Sequence, residues 1–185
     1  MTMKDKNWQD IPPLSWNPET GGKNCWITFH DHKIYDLGPD PDGDRFKEIS
    51  SRMRNGQYYP KDAVRFSGKF MEENRMLQPG DRIIQMAPIF GKLGGPIMIA
   101  VVEIYVSELE ANCCKVGYVT TARHFARGMW SAELTRKDSE LSIEVKATVI
   151  PNSFLYWFGL PYARFLQLRA WRRAIEVFRT VGNPA

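Results

Sequence analysis

The stretch Leu141–Val149 constrains the fold more than any other part of the chain. Leu141, Ile143, Val145, Ala147 and Val149 alternate with Ser142, Glu144, Lys146 and Thr148. A period of two places the apolar set on one face of a strand and the polar set on the other. One face meets a core and the other meets water. That is the behaviour of an antiparallel sheet, since parallel strands are buried on both sides.

Further strands are predicted upstream. "MWSAELTRK" (129–137) forms a hairpin with this stretch around Asp138-Ser139. "CCKVGYVTT", "RIIQMAPI" and "AVRFSGKF" each read as strands. Pro96–Val106 is almost continuously apolar and β-branched, which predicts a strand buried on both faces. Phe46–Asn55 predicts a helix capped by Asp44 and stopped by Gly56. A long helix is expected from about Pro161 to Val181, with an apolar arc through Leu168, Trp171, Ala174, Ile175 and Phe178. Gly182 and Pro184 end it. No βαβ alternation is present. The expected class is α+β: an antiparallel sheet of six or more strands with one long C-terminal helix.

Length and composition suit one such domain, at 185 residues and 43% hydrophobic content. Residues 1–44, rich in Pro, Gly, Asp and Asn, are expected to be an N-terminal arm packed on the body through Trp8, Trp16 and Trp26, with a short strand or two in "CWITFHDHKIYDL". Residues 45–185 are the domain itself. The net charge is +4, and no Lys/Arg block is long enough to act as a nucleic-acid tail, so no nucleic-acid partner is expected.

Cys25, Cys113 and Cys114 are an odd set with two adjacent members, which is no disulfide framework and has no zinc-ligand spacing. His30 and His32 share a strand face but lack a third ligand, so no metal is expected. "FGKLGGPI" lacks the lysine and following helix of a phosphate loop and reads as a loop, with the option of a lid. No cofactor is implied. "MTMKDKNWQD" has no apolar signal-peptide core, and "PIMIAVVEIYV" is about half the length of a membrane span. A cytoplasmic protein, not integral to a membrane, is expected.

Three segments carry a resemblance: "ENRMLQPGDRIIQ", "VGYVTTARHFARGMWSAEL" and "PYARFLQLRAWRRAIEVF". Together with His124-x-x-x-Gly128 and Gly117-Tyr118, they resemble the uncharacterised protein family 0548 over Arg65–Phe178. Where that family often has acidic residues after the glycine, this chain has Met129 and Trp130. The resemblance implies the helix-grip fold of START domains, pollen allergens and polyketide cyclases. In that fold a curved antiparallel sheet grips the C-terminal helix around a cavity. It implies no activity.

Within such a cavity six residues are candidates for ligand binding. His124 sits at a strand end, where it shapes the rim or, with an orienting partner, acts as a base. Glu103 shares a strand face with Ile99, Val101 and Tyr105, where an ionised carboxylate needs a partner. Arg164, on the apolar side of the helix, meets Glu103 or an anionic ligand group, or reaches solvent. Tyr118, Trp130 and Trp171 offer walls for a flat apolar molecule. No catalytic residue is assigned.

The leading expectation is a protein that binds a small hydrophobic or amphipathic ligand. An enzyme of cyclase or hydrolase type using the same cavity is the alternative. A third reading rests on "FLYWFGLPYARFLQLRAWRR", whose aromatics and arginines suit a membrane surface or a protein partner. Oligomeric state is left open.

Overall fold

The structure, a computed structural model, describes residues 13–17, 28–88, 97–122, 124, 126–151 and 154–182. The elements run β1 (Phe29–Pro39), α1 (Asp44–Arg54), β2 (Arg65–Gly68), α2 (Lys69–Glu72), β3 (Arg82–Pro88), β4 (Ile97–Leu109), β5 (Cys113–Thr120), β6 (Ala126–Lys137), β7 (Glu140–Pro151) and α3 (Phe154–Thr180). Seven strands form one sheet in the order β1-β7-β6-β5-β4-β3-β2. Every neighbouring pair is antiparallel. From β2 to β7 the chain is a meander, and β1 completes the far edge beside β7.

The period-two pattern of β7 orients the sheet. Leu141, Ile143, Val145 and Ala147 are buried in the core that the sheet shares with its helices, together with Ala132 and Leu134 of β6. The helix answers with Trp171, Ala174, Ile175 and Phe178, all buried. Burying side chains the size of Trp171 and Phe178 contributes about 2–3 kcal/mol each. The β6–β7 reversal uses positive φ at both Asp138 (51°) and Ser139 (64°). That conformation matches the strand twist in a two-residue hairpin.

Asp40 and Arg45 clip the start of α1 to the end of α3. Asp40, fully buried, accepts from the Arg45 and Phe46 backbone N–H groups, each at 3.1 Å. Arg45 sends its guanidinium the other way, to the carbonyls of Val181 (2.8 Å), Leu37 (2.9 Å) and Pro39 (2.6 Å). It also reaches Phe178 and Arg179 at 3.4 and 3.3 Å. The carbonyls left over at a helix C-terminus are thus capped by a cation, where the helix dipole favours one.

Several sequence expectations are corrected here. Asp40, not Asp44, caps α1. The residue before the helix is Gly43 in the left-handed conformation, and Asp44 is already helical. β4 is buried on one face only: Ala100, Val102 and Ile104 point inward, while Ile97 and Ile99 are each 57% exposed on the convex side. A continuous apolar run hides the period that would have revealed this. α3 begins at Phe154 rather than Pro161, so the proline lies inside the helix and removes a backbone donor there. β1 lies within the N-terminal segment, where "CWITFHDHKIYDL" reads as holding a short strand or two, and it is a longer strand paired with β7.

The stretch at 13–17 does lie across the sheet's convex face. Trp16 is buried against Val119 and Ile150, and the Ser15 backbone N–H donates to the Thr120 carbonyl at 3.0 Å. Trp8, Trp26, Cys25 and most of the proposed "FGKLGGPI" lid lie outside the described residues. Among the described residues, no helix is long and apolar enough to cross a membrane.

Candidate functional site

Small inward-facing residues leave a space between the sheet and the first half of α3. Ala100 of β4, Gly128 of β6 and Ala147 of β7 occupy strand positions where larger side chains would fill the interior. The result is a cavity of about 260 Å³. Gly128 is fixed by geometry: its φ is 155°, and a Cβ there would lie 1.8 Å from the Thr148 carbonyl oxygen. Thr120 locks the same point, its hydroxyl oxygen accepting from the Gly128 N–H at 2.9 Å.

Aromatic side chains form the inner wall. Tyr118 stacks on Trp130, with centroids 5.1 Å apart and planes at 21°. Tyr59 lies 6.0 Å from the Trp130 ring, and Tyr58 backs Trp130 edge-on at 4.7 Å. A polar thread crosses this wall. The Trp171 indole, the Tyr59 and Tyr118 hydroxyls and the Gln85 amide are neighbours that act on one another along it. Burial pushes the Tyr118 hydroxyl up to about 12, although its interactions with Gln85 and Tyr59 act in the other direction. Burial likewise drives Tyr59 well above the ordinary tyrosine range. Both phenols are therefore neutral across physiological pH.

His124 sits at the turn between β5 and β6 and lines the cavity. Its Nδ1 lies 3.0 Å from the Ala126 N–H and 2.8 Å from the Ala126 carbonyl oxygen. Burial lowers its pKa to about 4, against a smaller upward pull from the Ala126 backbone. It is thus a neutral imidazole at pH 7, held by the turn it helps to close. Three arginines stand among the lining residues: Arg127, Arg169 and Arg173. Arg173 is tied to Asp62 at 2.7 Å.

Four of the six candidates read from the sequence therefore come together here: His124, Tyr118, Trp130 and Trp171. Glu103 does not. It lies on the convex face, directly opposite Arg82 in the β3–β4 register, and pairs with the Arg82 Nε at 2.8 Å. Its strand face was grouped correctly with Ile99 and Val101, but that face is turned away from the helix. Arg164 also stands off the cavity lining. It pairs with Asp31 of β1, donates to the Gln167 Oε1 at 2.9 Å, and lies 5.7 Å over the Trp171 ring. Its partner is a strand carboxylate, not Glu103.

Gln85 and Tyr59 were missed. A signal for Gln85 was present, since it is the polar member of an inward row with Ile83 and Ala87 on β3. Tyr59 lies in an irregular segment, where no periodicity reports which way a side chain faces. Outside the cavity, His30 bonds Thr148 at 3.3 Å and His32 bonds Glu144 at 2.5 Å, both on the exposed side of β1. Cys113 and Cys114 are free thiols on opposite faces of β5, each raised in pKa mainly by burial.

The family described as Domain of unknown function (DUF1990) matches residues 25–177. The chain belongs to that family. This bears out the resemblance read from the sequence and extends it through β1. No curated protein matches the chain.

Among solved structures, the di-domain ARO/CYC StfQ from the steffimycin biosynthetic pathway is similar, with TM-score 0.53 and 10% identity over 84% of this chain and 50% of its own. Hypothetical protein jhp0584 from Helicobacter pylori gives TM-score 0.52 and 13% identity, over 83% and 88% of the two chains. Norcoclaurine synthase from Thalictrum flavum, in complex with dopamine and hydroxybenzaldehyde, gives 0.51 and 10%, over 86% and 90%. At such identities these likenesses establish the fold: this DUF1990 protein has the helix-grip architecture, a curved antiparallel sheet around a C-terminal helix.

Proposed function

We propose that the protein binds a small, mainly apolar, ring-bearing molecule in the cavity between the sheet and α3, without transforming it. The observation that carries this reading is the cavity wall itself. A space of about 260 Å³ is walled by Tyr59, Tyr118, Trp130 and Trp171, with Gln85, Thr120, His124 and the rim arginines as polar groups among a mostly apolar lining. That combination is typical of small-molecule sites, and the volume lies just below their roughly 300–1,000 Å³ range. It suits one or two fused rings or a short isoprenoid better than a two-chain lipid. Norcoclaurine synthase, a structural neighbour, is described in complex with two small aromatic molecules, which lends support by analogy of fold.

An enzyme working in the same cavity is the second reading, since two neighbours carry out synthase or cyclase chemistry by name. The acid–base groups weigh against it. A general acid or base works best with a pKa near the operating pH. His124 is lowered to about 4 and Tyr118 is raised to about 12, on opposite sides of neutrality.

Native mass spectrometry of the purified protein, followed by denaturing extraction, tests the proposal. A discrete bound mass, released on unfolding and identified as a small apolar compound, is the expected result. An empty protein that also fails to take up an apolar fluorescent dye would overturn it.

A further inference from the structure

The apolar arc of α3 is mostly consumed by the core, but its first described turns are not. Tyr162 is 43% exposed and Phe165 is 50% exposed. Their rings stack at 6.3 Å. With Arg169 and Arg172, both exposed, they fall at spacings of three, four and three residues. That spacing makes a single outward stripe along the helix. Of the positions between them, Ala163, Leu166 and Gln167 line the cavity, and Arg169 borders it as well. The stripe therefore runs along the back of the cavity wall and continues to its arginine-bearing rim.

Charge distinguishes this stripe from an ordinary solvated helix face. Arg164 is satisfied by Asp31 and Arg173 by Asp62. Among the described residues, Arg127, Arg169 and Arg172 have no carboxylate partner. Two exposed aromatic rings beside unpaired guanidiniums match the chemistry of a bilayer interface. Aromatic rings settle at headgroup depth, and guanidinium pairs with phosphate. Two rings alone are too small an apolar patch for a stable protein interface, which buries about 800 Å² per partner.

We propose that the Tyr162–Phe165–Arg169–Arg172 stripe docks the protein on an anionic lipid surface, holding the mouth of the cavity beside the bilayer. Docking of this kind would let an apolar ligand pass between cavity and membrane without crossing bulk water. It goes beyond the binding reading and fails independently of it, because an empty cavity leaves the stripe unchanged.

Vesicle flotation tests the proposal, using phosphatidylcholine alone and phosphatidylcholine with added phosphatidylglycerol. The full chain is expected to float with the anionic vesicles and hardly at all with neutral ones. Two guanidiniums near an anionic surface give a difference of about thirtyfold in affinity. Raising the salt should release the protein. Tyr162→Ser with Phe165→Ser, and separately Arg169→Glu with Arg172→Glu, should each reduce binding at least tenfold at unchanged circular dichroism and melting temperature. Absence of flotation with anionic vesicles, or flotation that both variants retain, would overturn it.

Discussion

At the scale of single residues, burial rather than chemistry decides what His124 does. Its folded pKa of about 4 lies below the ordinary 6.5, so the unfolded chain binds the extra proton between those values. Stability from the neutral ring is therefore complete above about pH 6.5 and is lost as the pH falls toward 4. The shift corresponds to about 3 kcal/mol. His124→Gln should flatten that part of the stability–pH curve, as read by urea denaturation at several pH values. An unchanged slope would show that the imidazole is hydrated.

Gly128 makes the sharper claim. Any Cβ there meets the Thr148 carbonyl oxygen at 1.8 Å, and backbone cannot step aside cheaply. Gly128→Ala should cost about 3 kcal/mol or more in denaturant unfolding. The His-x-x-x-Gly spacing was legible in the sequence. The reason for the glycine was not, because the clashing atom belongs to a strand twenty residues further on.

Secondary-structure elements show which sequence signals were sufficient. β7 was legible because its two faces meet different media, and the alternation records that directly. β4 was not, because its convex face carries Ile97, Ile99 and Val101 where a polar row would have marked the outside. Glu103 was the one polar residue in that row, and it pointed outward. The α3–α1 junction left no pattern at all, since Arg45 and Asp40 read as ordinary surface charges. Yet Arg45 is 6% exposed and touches five carbonyls from β1 and the end of α3. Arg45→Met should cost about 3–5 kcal/mol, because it strands several buried carbonyl acceptors at once. Arg45→Lys should recover only part of this, as one ammonium cannot span the same set. Hydrogen exchange should show the last turn of α3 opening first in both variants.

The cavity belongs to the whole molecule. It arises where a curved sheet and a straight helix part company, and where Ala100, Ala126 and Ala147 decline to fill the gap. Alanines within strands are visible in a sequence, but whether they make room for a helix or for a ligand depends on the distance between layers. That distance is set by contacts from several elements, so no local pattern reports it.

Substitution can separate the two cases. Ala147 and Ala132 are both buried inward residues of neighbouring strands, and only Ala147 borders the cavity. Ala147→Leu places its extra methyl groups in empty space and should leave stability within about 1 kcal/mol of the parent. Ala132→Leu forces the same atoms into close-packed core and should cost about 1–3 kcal/mol. Thermal unfolding measures the contrast. If the cavity is a ligand site, Ala147→Leu should also lose the bound mass seen in native spectra while Ala132→Leu retains it. Equal destabilisation by both would mean that the space closes up in solution, and the binding proposal would then lose its physical basis.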